Sequence, residues 1–343
     1  MVADLTQTTL YRKALGCLVA GVIGDAMGTP TERMHYQDIE KKYGWVADFT
    51  GDGTDDTVMR DILSAALVAT GGYARIDDWA QAWIENKARF VGEKRSRFFI
   101  SVLHTVEKLT RGGWLPRHAA LGNMASSSSA MCIAPVGIVN ACNPRQAALQ
   151  AYNLASLIHI HDVSFCQDGA AAVAAAVAEA CRPAATVDSI LAAAVHQIDP
   201  VSGREMRERI GEAVDLAAAS GSYPAFRQAV YAQGAHFFRP ITCDSRETIP
   251  LTFAIFRVAG GDVVKCVEYG ANFGRDADTI AAMVGGIAGA FRGYDALPAV
   301  WRQKAMEVMG SEQERLAVEL VRTAAARLES ETRAQAETAA VLS

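Results

Sequence analysis

Two adjacent carboxylates at a turn call for a positive neighbour. The stretch GDGTDDTVM sets Asp55 and Asp56 side by side, flanked by Thr54 and Thr57, with Gly51 and Gly53 just upstream. Like charges that close raise each other's pKa unless something neutralises them. A helix start explains one such acid, because Thr and Asp cap helices and negative charge is favoured there. It has no need of two carboxylates and a flanking hydroxyl. An EF-hand calcium loop begun at Asp48 has its glycine in the sixth position, Gly53, but Met59 where the twelfth-position glutamate belongs.

A second acidic stretch, GRDADTIAAMVGGIAGA, repeats that grammar far along the chain. Gly274 supplies the loop, Asp276 and Asp278 the carboxylates, and Thr279 a hydroxyl as a helix begins. That helix is small-faced, with Ala281, Ala282, Gly285, Gly286, Ala288 and Gly289, so it can lie close against another helix and hold its own start firmly. No Cys or His stands near either stretch, and an all-oxygen donor set suits Mg2+ or Mn2+ better than Zn2+. A further acid, Glu32, follows a third glycine-rich loop, GDAMGTP. Glu32, Asp55, Asp56, Asp276 and Asp278 overcharge one divalent ion and nearly balance two, if they converge. On the residues alone, helix caps and a two-metal site both stand.

The elements that must position these acids read as helices. Apolar residues recur with helical spacing over Asp55–Thr70 and Ile76–Val91. Asn143-Pro144 caps a helix reaching Ile158. The alanine-rich run from Asp168 to Cys181 follows, and Ala14 to Gly24 reads as a buried helix. Further helices fit Val187–Gln197, Arg204–Ala219, Tyr223–Gln233, Ile249–Ala259, Val263–Ala271, Thr279–Phe291, Leu297–Val308 and Glu312–Leu328. Trp45, Trp79, Trp83 and Trp114 are core residues by default. Alternating strand patterns are scarce, and neither a long linker nor a fixed-period repeat divides the chain. This predicts one compact all-α domain over residues 1–331, with 332–343 a frayed polar tail.

Composition excludes some roles. The chain has 343 residues, half of them hydrophobic, and a net charge of −5 with no basic stripe, so a nucleic acid is not the expected partner. The run from Ala14 to Gly24 is too short to span a bilayer and is followed by no cleavage site, so no membrane is expected. Seven scattered cysteines without a CxxC pair suit reduced thiols in the cytoplasm. Ser126 to Ser129 form a run of hydroxyls that either donates to a phosphate or sugar or is a flexible loop. His159 and His161 are two apart and share no helix face. Cys132 has no histidine in its local sequence to activate it as a nucleophile.

Taken together, GVIGDAMGTPTE, GDGTDDTVM, AMCIAPVG and GRDADTIAAMVGGIAGA resemble, in order and separation, the motifs of the ADP-ribosylglycohydrolase family, which includes enzymes that remove ADP-ribose from arginine. The resemblance runs from about residue 10 to 295. It implies an orthogonally packed multi-helix fold with a binuclear Mg2+ or Mn2+ centre held by Thr54, Asp55, Asp56, Asp276, Asp278 and Thr279. The implied reaction is hydrolysis of a glycosidic bond at ribose C1, with Glu32 or Asp56 as the base. Ser127, Ser128, Ser129, Met131, Cys132, His159 and Arg275 fall where substrate contacts are expected, His159 as a direct contact or behind one. Asp25 matches the family's Gly-Asp and is expected to support its loop.

Two departures bear on the substrate. Cys132 stands where family members often carry an arginine, which would meet a phosphate bidentately. Arg275 and Ala277 replace a common Gly and Thr; Arg275 either brings positive charge to the substrate or faces solvent. The leading expectation is hydrolysis of an ADP-ribosylated protein, arginine-linked. The alternatives are a hydrolase of a small ribosyl compound, such as a nucleoside derivative, and a crystallin-like structural protein on the same fold. The sequence leaves the oligomeric state open.

Overall fold

The computed structural model describes residues 4–343 and contains eighteen α-helices and no strand among them. Local chemistry sets many helix starts. Thr8 accepts the Tyr11 N–H, Asn143 accepts the Gln146 N–H ahead of Pro144, and Asp262 accepts the Lys265 N–H. Among the elements that differ from expectation, which include the unforeseen helices Tyr36–Tyr43 and Ile100–Arg111, two do so for visible reasons. Ile76–Val91 breaks at Asn86, whose side-chain amide donates back to the Ala82 carbonyl and ends the first helix at Glu85. The helix expected from Ile249 begins at Ser245, because Asp244 caps the Arg246 N–H and Pro250 is carried inside the helix.

Two helices make the centre of the protein. Thr9–Gly28 lies along Ala277–Arg292, and glycines on both let the backbones meet. A Cβ on Gly24 would sit 2.2 Å from the Ala281 carbonyl oxygen, and one on Gly28 would sit 2.4 Å from the Cα of Asp278. The contact therefore fixes the start of the second helix, where Asp278 stands, against the end of the first. Thr9–Gly28 extends the expected buried run and is apolar and long enough to cross a bilayer, yet every residue from Ala14 to Gly28 is buried inside the protein.

Around this pair the alanine-rich helix Phe165–Ala180 and the helices Pro144–Ala155, Arg204–Ser220 and Ser245–Val258 complete one core. Trp79 and Trp83 are in it, edge to face, whereas Trp45 and Trp114 lie exposed at the surface. The last helix runs Glu312–Leu342; residues 332–343, expected to fray, are its exposed end.

Candidate active site

The helix Asp55–Ala69 starts without a capping side chain of its own. Its cap comes from another helix. The Asp25 carboxylate accepts the Thr54 N–H and hydroxyl, each at 2.8 Å, and the Thr57 N–H at 3.2 Å and hydroxyl at 2.6 Å. Gly53 is required beside it: its φ is +86°, and a Cβ there would meet Asp25 Oδ2 at 2.5 Å. These bonds turn Asp55 and Asp56 toward the start of Ala277–Arg292. The Thr279 hydroxyl donates to Asp56 Oδ2 at 3.3 Å, joining the two acidic stretches.

A second tie brings in Glu32. The Arg33 N–H donates to the Arg275 carbonyl at 2.5 Å and the Arg275 N–H to the Met34 carbonyl at 3.1 Å. Both arginines take positive φ, 63° and 61°. Gly274 cannot carry a side chain here, since a Cβ would lie 2.3 Å from the Met34 carbonyl oxygen. The paired loops set Glu32 beside Asp276 and Asp278.

All five acids line one cavity of about 410 Å3. Two trios, one of them reaching behind the wall to Asp25, each have carboxylate oxygens within 4.8 Å of one another: Asp25, Asp56 and Asp278, and Glu32, Asp276 and Asp278. Asp278 belongs to both. Burial, and then the neighbouring acids, push the carboxyls of Asp55, Asp56 and Asp278 well above the usual range. Burial, with Glu32 beside it, raises Asp276 to about 7. Asp56 Oδ1 and Asp278 Oδ1 are buried and make no hydrogen bond. Bare oxygens among mutually repelling carboxylates are what a hard cation would satisfy, and the groups nearest them are oxygen donors, carboxylates with the Thr279 and Ser127 hydroxyls beside them. Of the six expected ligands, Asp55, Asp56, Asp276, Asp278 and Thr279 line this cavity, whereas Thr54 stands behind them with its hydroxyl donating to Asp25 Oδ1. Asp55 is in neither trio. Asp25, by contrast, spends its oxygens on the Thr54 and Thr57 donors.

The serine run is no flexible loop. Ser126 to Ser129 are all buried. The Ser126 hydroxyl lies 3.0 Å from His159 Nε2 and the Ser129 hydroxyl 2.9 Å from His159 Nδ1. Burial lowers the His159 pKa to about 3, so the ring is neutral, with one nitrogen donating and the other accepting. His159 thus stands behind the serines. Ser127, Ser128 and Met131 line the cavity, and the Ser127 hydroxyl donates to Asp276 Oδ2 at 3.2 Å.

Four of the residues expected at the substrate do not line the cavity. Ser129 and His159 face each other inside. Cys132 is fully buried, its thiol 3.4 Å from the Ser128 carbonyl oxygen. Arg275 does not line the cavity and is only partly exposed: Nε and Nη2 donate to the two oxygens of buried Glu247 at 2.7 and 2.8 Å, with Phe238 beneath the guanidinium.

Sequence reasoning missed the opposite wall. Arg33, Ser96, Arg97, Phe98, Phe99, Ile100, Ile241, Thr242 and Cys243 line the cavity with the acids. Only Arg33, next to Glu32, carried a signal, as a charge adjoining a singled-out acid. An apolar groove of about 480 Å3, walled by Leu5, Leu10, Val139, Val321 and Leu328, holds none of the five acids.

Residues 6–334 match the sequence model of a family described as ADP-ribosylglycohydrolase. Over 316 residues the chain is 24% identical to the ADP-ribosyl-[dinitrogen reductase] glycohydrolase of Rhodospirillum rubrum, spanning 88% of this chain and 92% of that protein. It is 26% identical over 311 residues to the uncharacterized protein YegU of Escherichia coli, spanning 83% and 89%. The solved structure of an ADP-ribosylglycohydrolase-related protein complex shares the fold, with a TM-score of 0.63 over 92% of this chain and 99% of that one, at 20% identity.

Proposed function

This chain belongs to the ADP-ribosylglycohydrolase family, and from that premise we propose that it is a metal-dependent hydrolase of ADP-ribosylated protein, with arginine as the released side chain. Hydrolysis of a glycosidic bond is the activity of the family and of this chain. The observation that carries the metal dependence is the pair of carboxylate trios sharing Asp278, with bare oxygens on Asp56 and Asp278.

Two divalent ions, Mg2+ or Mn2+, would be held by Thr54, Asp55, Asp56, Asp276, Asp278 and Thr279. When bound, they supply Lewis-acid binding of the ribose hydroxyls and a lowered pKa for water. The remaining chemistry belongs to the chain. Glu32, at the cavity edge with its side chain 19% exposed, takes the proton from the attacking water. Asp56, 3% exposed and within 4.8 Å of Asp278, is too enclosed for that role and would serve instead to hold the cation. The anionic oxygens around C1 stabilise the oxocarbenium character that develops as the bond to the leaving group breaks. Ser127 holds Asp276 in place, and Ser128 presents its hydroxyl to the sugar. Met131 and Phe98 close the site against bulk water.

A small ribosyl substrate is the runner-up, favoured by the absence of a cation at Cys132. The deciding experiment measures ADP-ribose release from an ADP-ribosyl-arginine protein with Mg2+, with EDTA, and with Asp276→Asn or Glu32→Gln. EDTA and Asp276→Asn should abolish release. Glu32→Gln should lower kcat by about 10^2-fold or more while Mn2+ still binds. A wild type that binds Mn2+ but releases nothing would overturn the arginine-linked substrate. Full release in EDTA would overturn the metal.

A further inference from the structure

The cavity is lined by five carboxylates and, among the described residues, by only two cations, Arg33 and Arg97. A substrate that carries phosphates cannot leave them against the acids, so its charged end must lie where the guanidiniums are. Cys132 supplies no cation, and Arg275 is committed to Glu247. Arg97 is held at the right edge. Lys94, on the same turn Glu93–Arg97, donates to Asp52 Oδ1 and the Gly53 carbonyl, both at 2.8 Å, and so ties this turn to the loop that carries Asp55 and Asp56.

Both guanidiniums now rest on one partner. Arg33 Nε lies 3.0 Å from Glu32 Oε1 and Arg97 Nη1 3.4 Å from Glu32 Oε2. Their side chains are 77% and 44% exposed. Pairs so exposed are weak and readily exchanged, whereas an arginine meets a phosphate through two parallel charge-assisted bonds. Phe98 and Phe99 continue the wall beyond Arg97, an apolar surface for the part of the ligand past the phosphates.

We propose that Arg97, assisted by Arg33, is the specificity-determining residue that receives the substrate's diphosphate, and that it gives up Glu32 to do so. The exchange has a consequence for catalysis. Glu32 is clasped by guanidinium until a phosphate draws Arg97 off, so a phosphate-free riboside leaves the base engaged. The site then selects for ADP-ribosyl over simple ribosyl substrates without an arginine at position 132. This rests on the ADP-ribosyl reading of the site given above.

The test is calorimetric titration of ADP-ribose into the Mg2+-loaded protein as wild type, Arg97→Gln and Arg97→Lys, with Mn2+ binding measured on each. Arg97→Gln should weaken ADP-ribose by about 10- to 100-fold. Arg97→Lys should recover part of that loss, and all three should bind Mn2+ within about twofold, which a merely structural role for Arg97 would not give. ADP-ribose bound equally by wild type and Arg97→Gln would overturn the role of Arg97 and leave the substrate class standing. A wild type that binds Mn2+ but not ADP-ribose would overturn the substrate class, and the role of Arg97 with it.

Discussion

Asp25 lies in the helix Thr9–Gly28 and Thr54 at the cap position of the helix Asp55–Ala69, yet the Asp25 carboxylate accepts the Thr54 N–H at 2.8 Å and caps a helix it is not part of. Four donors converge on this one buried side chain, so it orients Asp55 and Asp56 without needing to touch substrate. Asp25→Ala strands those donors and should cost about 2 kcal/mol of stability, visible as a lower melting temperature in EDTA. Mn2+ affinity should fall about 10- to 100-fold, as when an outer support of a metal ligand is removed. A variant that melts early but binds Mn2+ like the wild type would reduce Asp25 to a helix cap.

The clustered acids make the metal-free protein pH-sensitive in an unusual direction. Asp276 is raised to about 7 from an ordinary carboxylate value of 3.8. The folded state therefore holds a proton that the unfolded state has lost across that window. Stability from this group is complete below about pH 4 and is lost as pH rises through about 7. In EDTA, Asp276→Asn, which cannot ionise, should gain on the wild type as pH goes from 5 to 8, by a few degrees in melting temperature. With Mg2+ or Mn2+ the trend should invert, because the ion binds only the deprotonated carboxylates and its stabilisation grows with pH. Parallel melting curves for the two proteins in EDTA at all pH values would show that the acids are not mutually strained.

The acids were legible because each pair lies within a few residues of sequence, in a loop that opens a helix. What they converge on was not. Nothing near Asp25 announces that it caps the helix after Thr54, twenty-nine residues on. The serines read as a possible loop because their partner, His159, lies thirty residues away and is buried with them. Arg97 sits in a charged run, Glu93–Arg97, that carries no motif, and its place at the cavity depends on distant partners such as the tie from Lys94 to Gly53. Helix existence was readable from periodicity. Ends were less so: the helix expected from Ile249 starts at Ser245 behind the Asp244 cap and carries Pro250 inside it.

Arg275 carries the last prediction, and here the departure from the family pattern is explained by its partner. Glu247 has no exposed side-chain surface, and burial raises it to about 7 even with the guanidinium opposing that shift. Removing the arginine leaves a carboxylate with only the Arg239 N–H to meet it, at 2.7 Å. Arg275→Ala should cost about 3 kcal/mol at pH 8. The cost should shrink toward pH 5, because a protonated Glu247 needs no cation; the deficit therefore grows as pH rises through about 7. Adding Glu247→Gln to Arg275→Ala should restore much of the loss at pH 8 and little at pH 5, a coupling read by denaturant titration of the four proteins in a double-mutant cycle. Mn2+ affinity should fall with Arg275→Ala as well, since the backbone that it anchors, from Met34 to Asp276, joins Glu32 to the shared site of Asp278. A deficit independent of pH, or equal in the presence and absence of Glu247, would mean that Arg275 acts through its stacking on Phe238 rather than through the ion pair.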